Sequence, residues 1–156
     1  MKIVIMMGSR ADLDHGQKIQ ATVKKFGIEC VLRIASAHKT PENVLSLIRE
    51  YERDEVVFIT AVGRSNALSG MVDANTARPV IACPVPSDAF SGVDLFSSLR
   101  MPSGVGPMTV LEPEAAALAA LKILALKDDG LGEKLREYQA AKAKEVIEAD
   151  RGLRRG

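Results

Sequence analysis

Several features that define specialised classes of protein are scarce or missing in this chain. It has only two cysteines, Cys30 and Cys83, both within apolar runs and without a CxxC motif. We therefore expect buried free thiols and neither a disulfide framework nor a metal site.

Basic and acidic residues nearly balance, giving a formal net charge of +1, which argues against a nucleic-acid surface. No apolar run approaches the ~18 residues that span a membrane, and no signal-peptide pattern is visible. We expect a soluble cytoplasmic protein that binds neither nucleic acid nor membrane.

The chain is 156 residues long, which predicts one domain that buries about two-thirds of the surface of its unfolded chain. Short apolar runs alternate with helical patterns, and this predicts right-handed βαβ crossovers and a parallel sheet. The predicted strands, each a buried run, are 3–7, 30–34, 56–62, 80–83 and 108–111. We predict an α/β core over residues 1–127 and a further C-terminal helix over residues 130–150.

Five parallel strands fit a flavodoxin-like three-layer sandwich with the strand order 2-1-3-4-5. In that order, the loops after the first, second and third strands open beside one crevice. These loops carry the candidate site residues Ser9, Asp12, Ser36, His38, Lys39, Gly63, Arg64, Ser65 and Asn66. Their convergence favours a functional site at this edge of the sheet.

Residues 36–41, Ser-Ala-His-Lys-Thr-Pro, connect a predicted strand to a predicted helix. Thr40 is a suitable N-cap, and Pro41 suits the first helical position. An imidazole and an ammonium group therefore lie where ligands collect in open α/β sheets. A solvated or backbone-bonded histidine is the alternative for the hexapeptide alone, but the neighbouring loops favour a functional His38.

The loop after the first strand reads Gly8-Ser9-x-x-Asp12 and leads into a helix. Free backbone N–H groups and the helix dipole suit a phosphate there, with Ser9 as a further donor. Asp12 suits ribose hydroxyls or a neighbouring cation. The loop matches neither Walker A nor GxGxxG, so ATP or a dinucleotide is not indicated. Ordinary N-capping by Ser9 or Asp12 is the alternative.

Cationic groups from the loops after the second and third strands complete the predicted site. Lys39 supplies a point charge that suits phosphate. Residues 63–66, Gly-Arg-Ser-Asn, offer a guanidinium, a hydroxyl and an amide suited to a carboxylate or the edge of a heterocycle. Capping by Ser65, with Arg64 in solvent, is the alternative.

Three later segments suggest assembly. The connection over 84–106 is long for a compact domain and predicts a functional loop or an interface, with one helix near 93–99. The helix predicted over 113–126 is apolar nearly all round, so a partner subunit is the natural cover for one side. The charged helix beyond Gly130 has a thin apolar stripe, and we expect it to reach another subunit. A solvated helix folded back on its own domain is the alternative.

Six short segments follow one another in an order that resembles a known family. They are Gly8-Ser9-x-x-Asp12, Ser36-Ala37-His38-Lys39-Thr40, Gly70-Met71, Pro79-Val80-Ile81, Ser91-Gly92-Val93-Asp94 and Met101-Pro102-x-Gly104-Val105. With the alanine-rich helix that follows, they resemble the phosphoribosylaminoimidazole carboxylase (PurE) family of purine biosynthesis over essentially the whole chain.

The resemblance distinguishes two branches of that family. The mutase branch typically reads Ser-Ala-His-Arg-Thr-Pro and Gly-Gly-Ala-Ala-His-Leu-Pro-Gly-Met. Here Lys39 takes the arginine position, Ala67 that of the second histidine and Ser69 that of the proline. Residues 63–70, 83–88 and 97–104 resemble the class II branch, which carboxylates aminoimidazole ribonucleotide directly. Ala11 replaces a serine that is usual in the family, which removes one phosphate donor.

The resemblance implies ATP-independent carboxylation of 5-aminoimidazole ribonucleotide by carbon dioxide, with no metal or other cofactor. It also implies a homo-octamer with active sites between subunits. By resemblance, the 5′-phosphate is held by Ser9, Ser36 and Lys39, and Asp12 binds the ribose. The part of the site that binds the heterocyclic base and the carboxylate of the substrate is lined by Gly63, Arg64, Ser65 and Asn66. His38 is the base that removes the ring proton.

Two other functions stay open at this point. A mutase would move a carboxyl group from N5-carboxyaminoimidazole ribonucleotide to carbon. A non-catalytic flavodoxin-like module would bind a phosphorylated ligand or act as a receiver. A receiver needs a phosphorylatable aspartate after its third strand, where this chain has Gly63 and Arg64.

Overall fold

The computed structural model describes residues 1–154, and a five-stranded parallel sheet forms its centre. The strands are β1 (Lys2–Met7), β2 (Glu29–Ile34), β3 (Val56–Ala61), β4 (Val80–Ala82) and β5 (Met108–Thr109). Their order is β2-β1-β3-β4-β5, and every neighbouring pair is parallel. The predicted flavodoxin-like order is confirmed, although β4 and β5 are shorter than predicted.

Helices cover both faces of the sheet. They are α1 (Leu13–Lys25), α2 (Pro41–Tyr51), α3 (Ala67–Asp73), α4 (Pro113–Leu124) and α5 (Asp129–Leu153), with short 3₁₀ segments at Arg10–Asp12, Ala89–Ser98 and Ala125–Lys127. The α1, α4 and α5 side chains form one apolar cluster with the sheet, and those of α2 and α3 form the other. The three layers predicted from the sequence are therefore present.

The central strands β1 and β3 form the best-buried part of the core. Alternate β1 residues point to opposite faces, so Ile3 and Ile5 pack toward α1 and α4, whereas Val4 and Met6 pack toward α2. All four side chains are fully buried, and each such burial contributes about 1.5–3 kcal/mol relative to exposure. Coverage on both faces explains the continuous apolar runs of these strands.

Strand β2 differs from the prediction of a buried second strand. It lies at the edge of the sheet, its residues are half-buried at most, and Ile34 is 46% exposed. Arg33 reaches from this strand to the carboxylate of Glu50 at 2.8 Å and lies over the ring of Tyr51. That prediction was wrong because an edge strand has a neighbour on only one side.

The connection after β4 contains a helix near the predicted 93–99, but it is of the 3₁₀ type and belongs to a kinked segment over Ala89–Ser98. Phe90, Ser91 and Gly92 all have positive φ values, and this interrupts the helical path. Phe90 and Phe96 are largely exposed on the segment.

One side of helix α4 is covered within its own chain. Ala116, Ala120 and Leu121 are fully buried in the cluster that α1, the sheet and α5 share, and Leu118 packs at its margin. Leu118, Ala119 and Ile123 are only partly buried, so the cover of the other side by a partner subunit stays a prediction.

Helix α5 begins at Asp129, one residue before the predicted range of 130–150. Asp128 caps it, because its carboxylate accepts a hydrogen bond from the Leu131 N–H at 2.9 Å. Leu131 and Leu135 are buried, whereas every residue over 139–154 is exposed. The first part of α5 thus belongs to its own domain, and the rest projects from it. None of the helices in the described residues has the length and hydrophobicity needed to cross a membrane.

Candidate active site

A cleft of about 540 Å³ opens where the loops after β1, β2, β3 and β4 meet. It is lined by Gly8, Ser9, Ala11, Asp12, Ser36, His38, Lys39, Val62, Gly63, Arg64, Ser65, Val85, Pro86 and Ser87. All the predicted site residues except Asn66 are in this lining. The parallel strand order brings them together, because parallel strands present all their carboxyl ends at one edge.

The loop after β1 is held in shape by a hydrogen-bonded pair. One carboxylate oxygen of Asp12, Oδ2, accepts a bond from the Ser9 N–H at 2.9 Å and another from the Ser9 hydroxyl at 3.0 Å. Gly8 allows this loop to pack closely on the end of β3, since a Cβ atom there would lie 2.9 Å from Cγ2 of Val62. Asp12 therefore braces Ser9 as well as lining the cleft.

The loop after β2 forms a turn that is closed by its own hydroxyl groups. Thr40 is the N-cap of α2, as predicted, but its hydroxyl makes no capping bond. That hydroxyl accepts a bond from the Ser36 N–H at 2.9 Å, while the Ser36 hydroxyl accepts one from the Lys39 N–H at 3.2 Å. The turn leaves His38 and Lys39 exposed on the cleft wall.

The loop after β3 places Arg64 and Ser65 in the cleft lining, and both are exposed. Arg64 has φ of 61°, which is an unfavourable backbone conformation for a residue with a Cβ atom. Gly63 packs against the next loop, because a Cβ atom there would lie 3.2 Å from the carbonyl oxygen of Val85. The loops after β3 and β4 thus form one continuous wall.

Asn66 does not line the cleft, contrary to its predicted place among the substrate-binding residues. It is only 5% exposed and caps α3, where its Oδ1 accepts a bond from the Ser69 N–H at 3.3 Å. Its Nδ2 donates to the hydroxyl of Ser98 at 2.8 Å. Asn66, and not Ser65, is the capping residue, and its amide is used within the protein.

The loop after β4 contributes residues that sequence reasoning did not select. Val85, Pro86 and Ser87 line the cleft, and the Ser87 hydroxyl accepts a bond from the Ala89 N–H at 3.1 Å. The length of the 84–106 connection signalled function. The predicted strand order, which sets β4 beside β3, was the further signal that could have located these residues.

The second histidine and the two cysteines lie outside the cleft lining. His15 is buried, with Nε2 3.2 Å from Sγ of Cys83, and burial lowers its pKa, with Lys18 acting in the same direction. Burial raises the pKa of Cys83 and of the partly buried Cys30 to about 12. Both are free thiols, as predicted, and such pKa values make them unreactive at neutral pH.

The charge of the cleft suits an anionic ligand. Its lining carries the cations Lys39 and Arg64 against the single carboxylate of Asp12. Hydroxyl groups of Ser9, Ser36 and Ser65 add neutral donors. Within residues 1–154, no group of three or more His, Cys, Asp or Glu side chains could hold a metal ion.

Comparison with known proteins gives consistent results along the whole chain. The AIR carboxylase family model matches residues 2–145. The phosphoribosylaminoimidazole carboxylase of Archaeoglobus fulgidus is 61% identical over 154 residues, which cover 99% of this chain and 86% of that protein. The phosphoribosylaminoimidazole carboxylase of Treponema denticola is 48% identical over 98% of each chain. A crystal structure of Treponema denticola PurE matches with a TM-score of 0.94 and 48% identity over 97% of each chain.

Proposed function

The chain belongs to the AIR carboxylase family, and we propose that it carboxylates 5-aminoimidazole ribonucleotide directly with carbon dioxide. The product is 4-carboxy-5-aminoimidazole ribonucleotide, an intermediate of purine biosynthesis. The carboxylase activity itself is that of its relatives, which are named phosphoribosylaminoimidazole carboxylase. The proposal adds that the carboxyl group comes from free carbon dioxide and that the reaction uses no ATP or other cofactor.

One observation carries the proposal: a single cleft joins a cationic, hydroxyl-rich region to His38. A nucleotide monophosphate needs a phosphate site, and Ser9, Ser36 and Lys39 supply two hydroxyl groups and an ammonium for it. Asp12 lies in the same lining and suits the ribose hydroxyls. The ligand's heterocycle then extends toward the loop after β3.

Arg64 and Ser65 serve the carboxylate end of the substrate. As the ring carbon attacks carbon dioxide, negative charge builds on the two oxygens of the new carboxylate. A guanidinium beside those oxygens stabilises the charge and orients the carbon dioxide before attack. Gly63 keeps the two walls of the cleft in contact without a side chain of its own.

His38 supplies the proton transfer that completes the reaction. The aminoimidazole ring is an electron-rich enamine, so its carbon forms the new carbon–carbon bond without prior activation of carbon dioxide. The attacked carbon keeps its hydrogen and becomes tetrahedral, and aromaticity returns when a base removes that proton. The His38 imidazole accepts it, and the same group returns it in the reverse decarboxylation.

We place this enzyme in the cytoplasm as a homo-oligomer, and specifically an octamer as the family resemblance implies. The projecting part of α5 supports assembly, because Val146 and Ile147 are 71% and 52% exposed and nothing in residues 1–154 covers them. Apolar side chains on an uncovered helix are typical of an interface with another chain.

The test is a reaction of the purified protein with 5-aminoimidazole ribonucleotide and bicarbonate, in the absence and presence of ATP. We expect 4-carboxy-5-aminoimidazole ribonucleotide at the same rate in both, measured by chromatography of the nucleotides. Product formation that needs ATP, or no product in either reaction, would contradict the proposal.

A further inference from the structure

The backbone of Arg64 adopts a conformation that the residue does not favour by itself. Its φ of 61° lies in the left-handed region, where the Cβ atom crowds the following carbonyl. Such a residue persists only where the surrounding structure holds it, and these residues cluster at ligand sites. The contacts around Arg64 should therefore identify what holds it.

Ser97 bridges the backbone on both sides of Ser65. Its hydroxyl donates a hydrogen bond to the Arg64 carbonyl at 2.9 Å and accepts one from the Asn66 N–H at 3.1 Å. Ser97 lies on the 3₁₀ segment after β4, more than thirty residues along the chain. A single hydroxyl thus fixes the turn that presents Arg64 and Ser65.

Asn66 anchors the same turn from the inside. Its Nδ2 donates to the Ser98 hydroxyl at 2.8 Å, and its Oδ1 accepts from the Ser69 hydroxyl at 2.5 Å. Ser69 in turn contacts the hydroxyl of Thr60 on β3 at 2.6 Å. Ser69 and Thr60 have no exposed surface. Among the described residues every buried side-chain polar atom has a partner, and a fully satisfied network of this kind is rigid.

We propose that Asn66 and Ser97 are positioning residues that hold Arg64 in its left-handed conformation and so aim its guanidinium into the cleft. The inference rests on the proposed function, in which Arg64 orients carbon dioxide. It gives Asn66 a different place from the one that the family resemblance implies: Asn66 acts through Arg64 and makes no contact with the substrate. We call these two positioning residues, Asn66 and Ser97, the clamp. The phosphate end of the site, formed by Ser9, Ser36 and Lys39, is independent of the clamp.

Ser97 is the better residue for a test, because it is exposed and its hydroxyl can be removed without leaving a buried cavity. Asn66 is buried, so its removal endangers the fold.

We expect Ser97→Ala to lower kcat/KM for carbon dioxide by roughly 3- to 10-fold, the effect of one or two lost hydrogen bonds. KM for 5-aminoimidazole ribonucleotide should stay unchanged. Ser97→Thr restores the hydroxyl and should restore activity, and Ser46→Ala, at an exposed serine of α2, is the matched control.

A double-mutant cycle separates positioning from a general structural effect. If Ser97 acts through Arg64, Ser97→Ala should have no further effect on kcat/KM in an Arg64→Ala background. Additive losses in the double variant would overturn the proposal. Equal losses of kcat/KM for Ser97→Ala and Ser97→Thr would also overturn it, because the hydroxyl would then not be the group that holds Arg64.

Trypsin cleavage after Arg64 tests the clamp without any catalysis. Ser97→Ala should be cut there faster than the wild type and Ser97→Thr, because proteolysis follows local opening of the backbone. The melting temperatures of the three proteins should be the same. Faster cleavage in a protein that cannot carboxylate the nucleotide would refute the proposed function and support the clamp. An active wild type with unchanged cleavage and unchanged kcat/KM in Ser97→Ala would refute the clamp.

Discussion

The carboxylate of Asp12 binds Ser9 twice through one oxygen, to the backbone N–H at 2.9 Å and to the hydroxyl at 3.0 Å. Part of its hydrogen-bonding capacity is therefore used before any ligand arrives. The pair orders the loop after β1 and fixes the hydroxyl that we assign to the phosphate. Asp12 thus has one observed function, bracing Ser9, and one proposed function, binding the ribose.

Substitution of Asp12 separates these two functions. Asp12→Ala leaves Ser9 without its acceptor and should raise KM for 5-aminoimidazole ribonucleotide roughly 10- to 100-fold, the effect of losing hydrogen bonds to a charged group. Asp12→Asn keeps an acceptor oxygen for Ser9 and should have a smaller effect. Steady-state kinetics on both variants, with circular dichroism as the control for folding, measures this. An unchanged KM in Asp12→Ala would contradict both functions.

The central sheet could be predicted from the sequence because β1 and β3 are covered on both faces, which requires continuous apolar runs. The edge position of β2 could not, since residues 30–34 are nearly as apolar as residues 3–7. Only the strand order shows that β2 has one neighbour. The start of α5 was predicted to within one residue, and the Asp128 cap holds Gly130 and Gly132 in the first turn of that helix.

The candidate site could be predicted to the extent that its residues directly follow strands. Ser9, His38 and Arg64 do so, and the parallel topology then brings them to one cleft. The orientation of Asn66 could not be predicted, because it depends on Ser98, 32 residues later in the chain. Asparagine suits both a ligand and a helix cap, and tertiary contacts decide between them.

His38 is predicted to be essential for turnover and dispensable for binding. His38→Asn removes the proton acceptor and should lower kcat by ~10²–10⁴-fold, while substrate affinity measured by calorimetry stays close to that of the wild type. His15→Gln, which changes the other histidine, is the matched control. A His38→Asn variant that keeps more than about a tenth of the wild-type rate would exclude His38 as the essential proton carrier.

His15 should make stability depend on pH. Its pKa is lowered from 6.5 mainly by burial, with partial opposition from a hydrogen bond with the Cys83 backbone and from nearby Asp12 and Glu112. The unfolded chain then binds a proton more readily than the folded protein, so stability is complete above the unfolded pKa and falls as pH drops below it. We expect the melting temperature of the wild type to fall more steeply below pH 6.5 than that of His15→Gln. Parallel melting curves for the two proteins would contradict this account.

The projecting part of α5 is predicted to be an assembly element. The structure sets the informative truncation after Gln139, since Leu135 is buried and Tyr138 packs its ring on Phe26, with centroids 5.5 Å apart. Deleting residues 140–156 should preserve the far-ultraviolet circular dichroism and weaken the oligomer in sedimentation velocity.

Point variants test the same helix without shortening it. Val146→Asp, which charges a largely exposed apolar position, should weaken assembly as the truncation does. Lys144→Ala should not, because Lys144 forms only an exposed ion pair with Glu148 at 3.6 Å, and such pairs contribute little. A full-length protein that is monomeric at micromolar concentration would contradict an assembly function for α5.

The source of the carboxyl group is the remaining question, and the site makes a definite prediction about it. A mutase must release carbon dioxide from a nitrogen and recapture it at carbon, which requires a proton donor near that nitrogen. The position of the second histidine in the mutase pattern is Ala67 here, at the start of α3. Arg64 and Ser65 instead offer donors suited to free carbon dioxide as charge builds on its oxygens.

We therefore expect the rate to follow the concentration of dissolved carbon dioxide, and N5-carboxyaminoimidazole ribonucleotide to be a poor substrate. The two nucleotides are supplied separately, each with and without carbonic anhydrase, so that the supply of carbon dioxide from bicarbonate changes while the enzyme does not. With 5-aminoimidazole ribonucleotide, carbonic anhydrase should remove any lag in product formation that arises because bicarbonate and carbon dioxide interconvert slowly. Arg64→Ala should raise KM for carbon dioxide, whereas Arg49→Ala, at an exposed arginine of α2, should not. Efficient turnover of the N5-carboxylated nucleotide in carbon-dioxide-free buffer would reject direct carboxylation and establish the mutase.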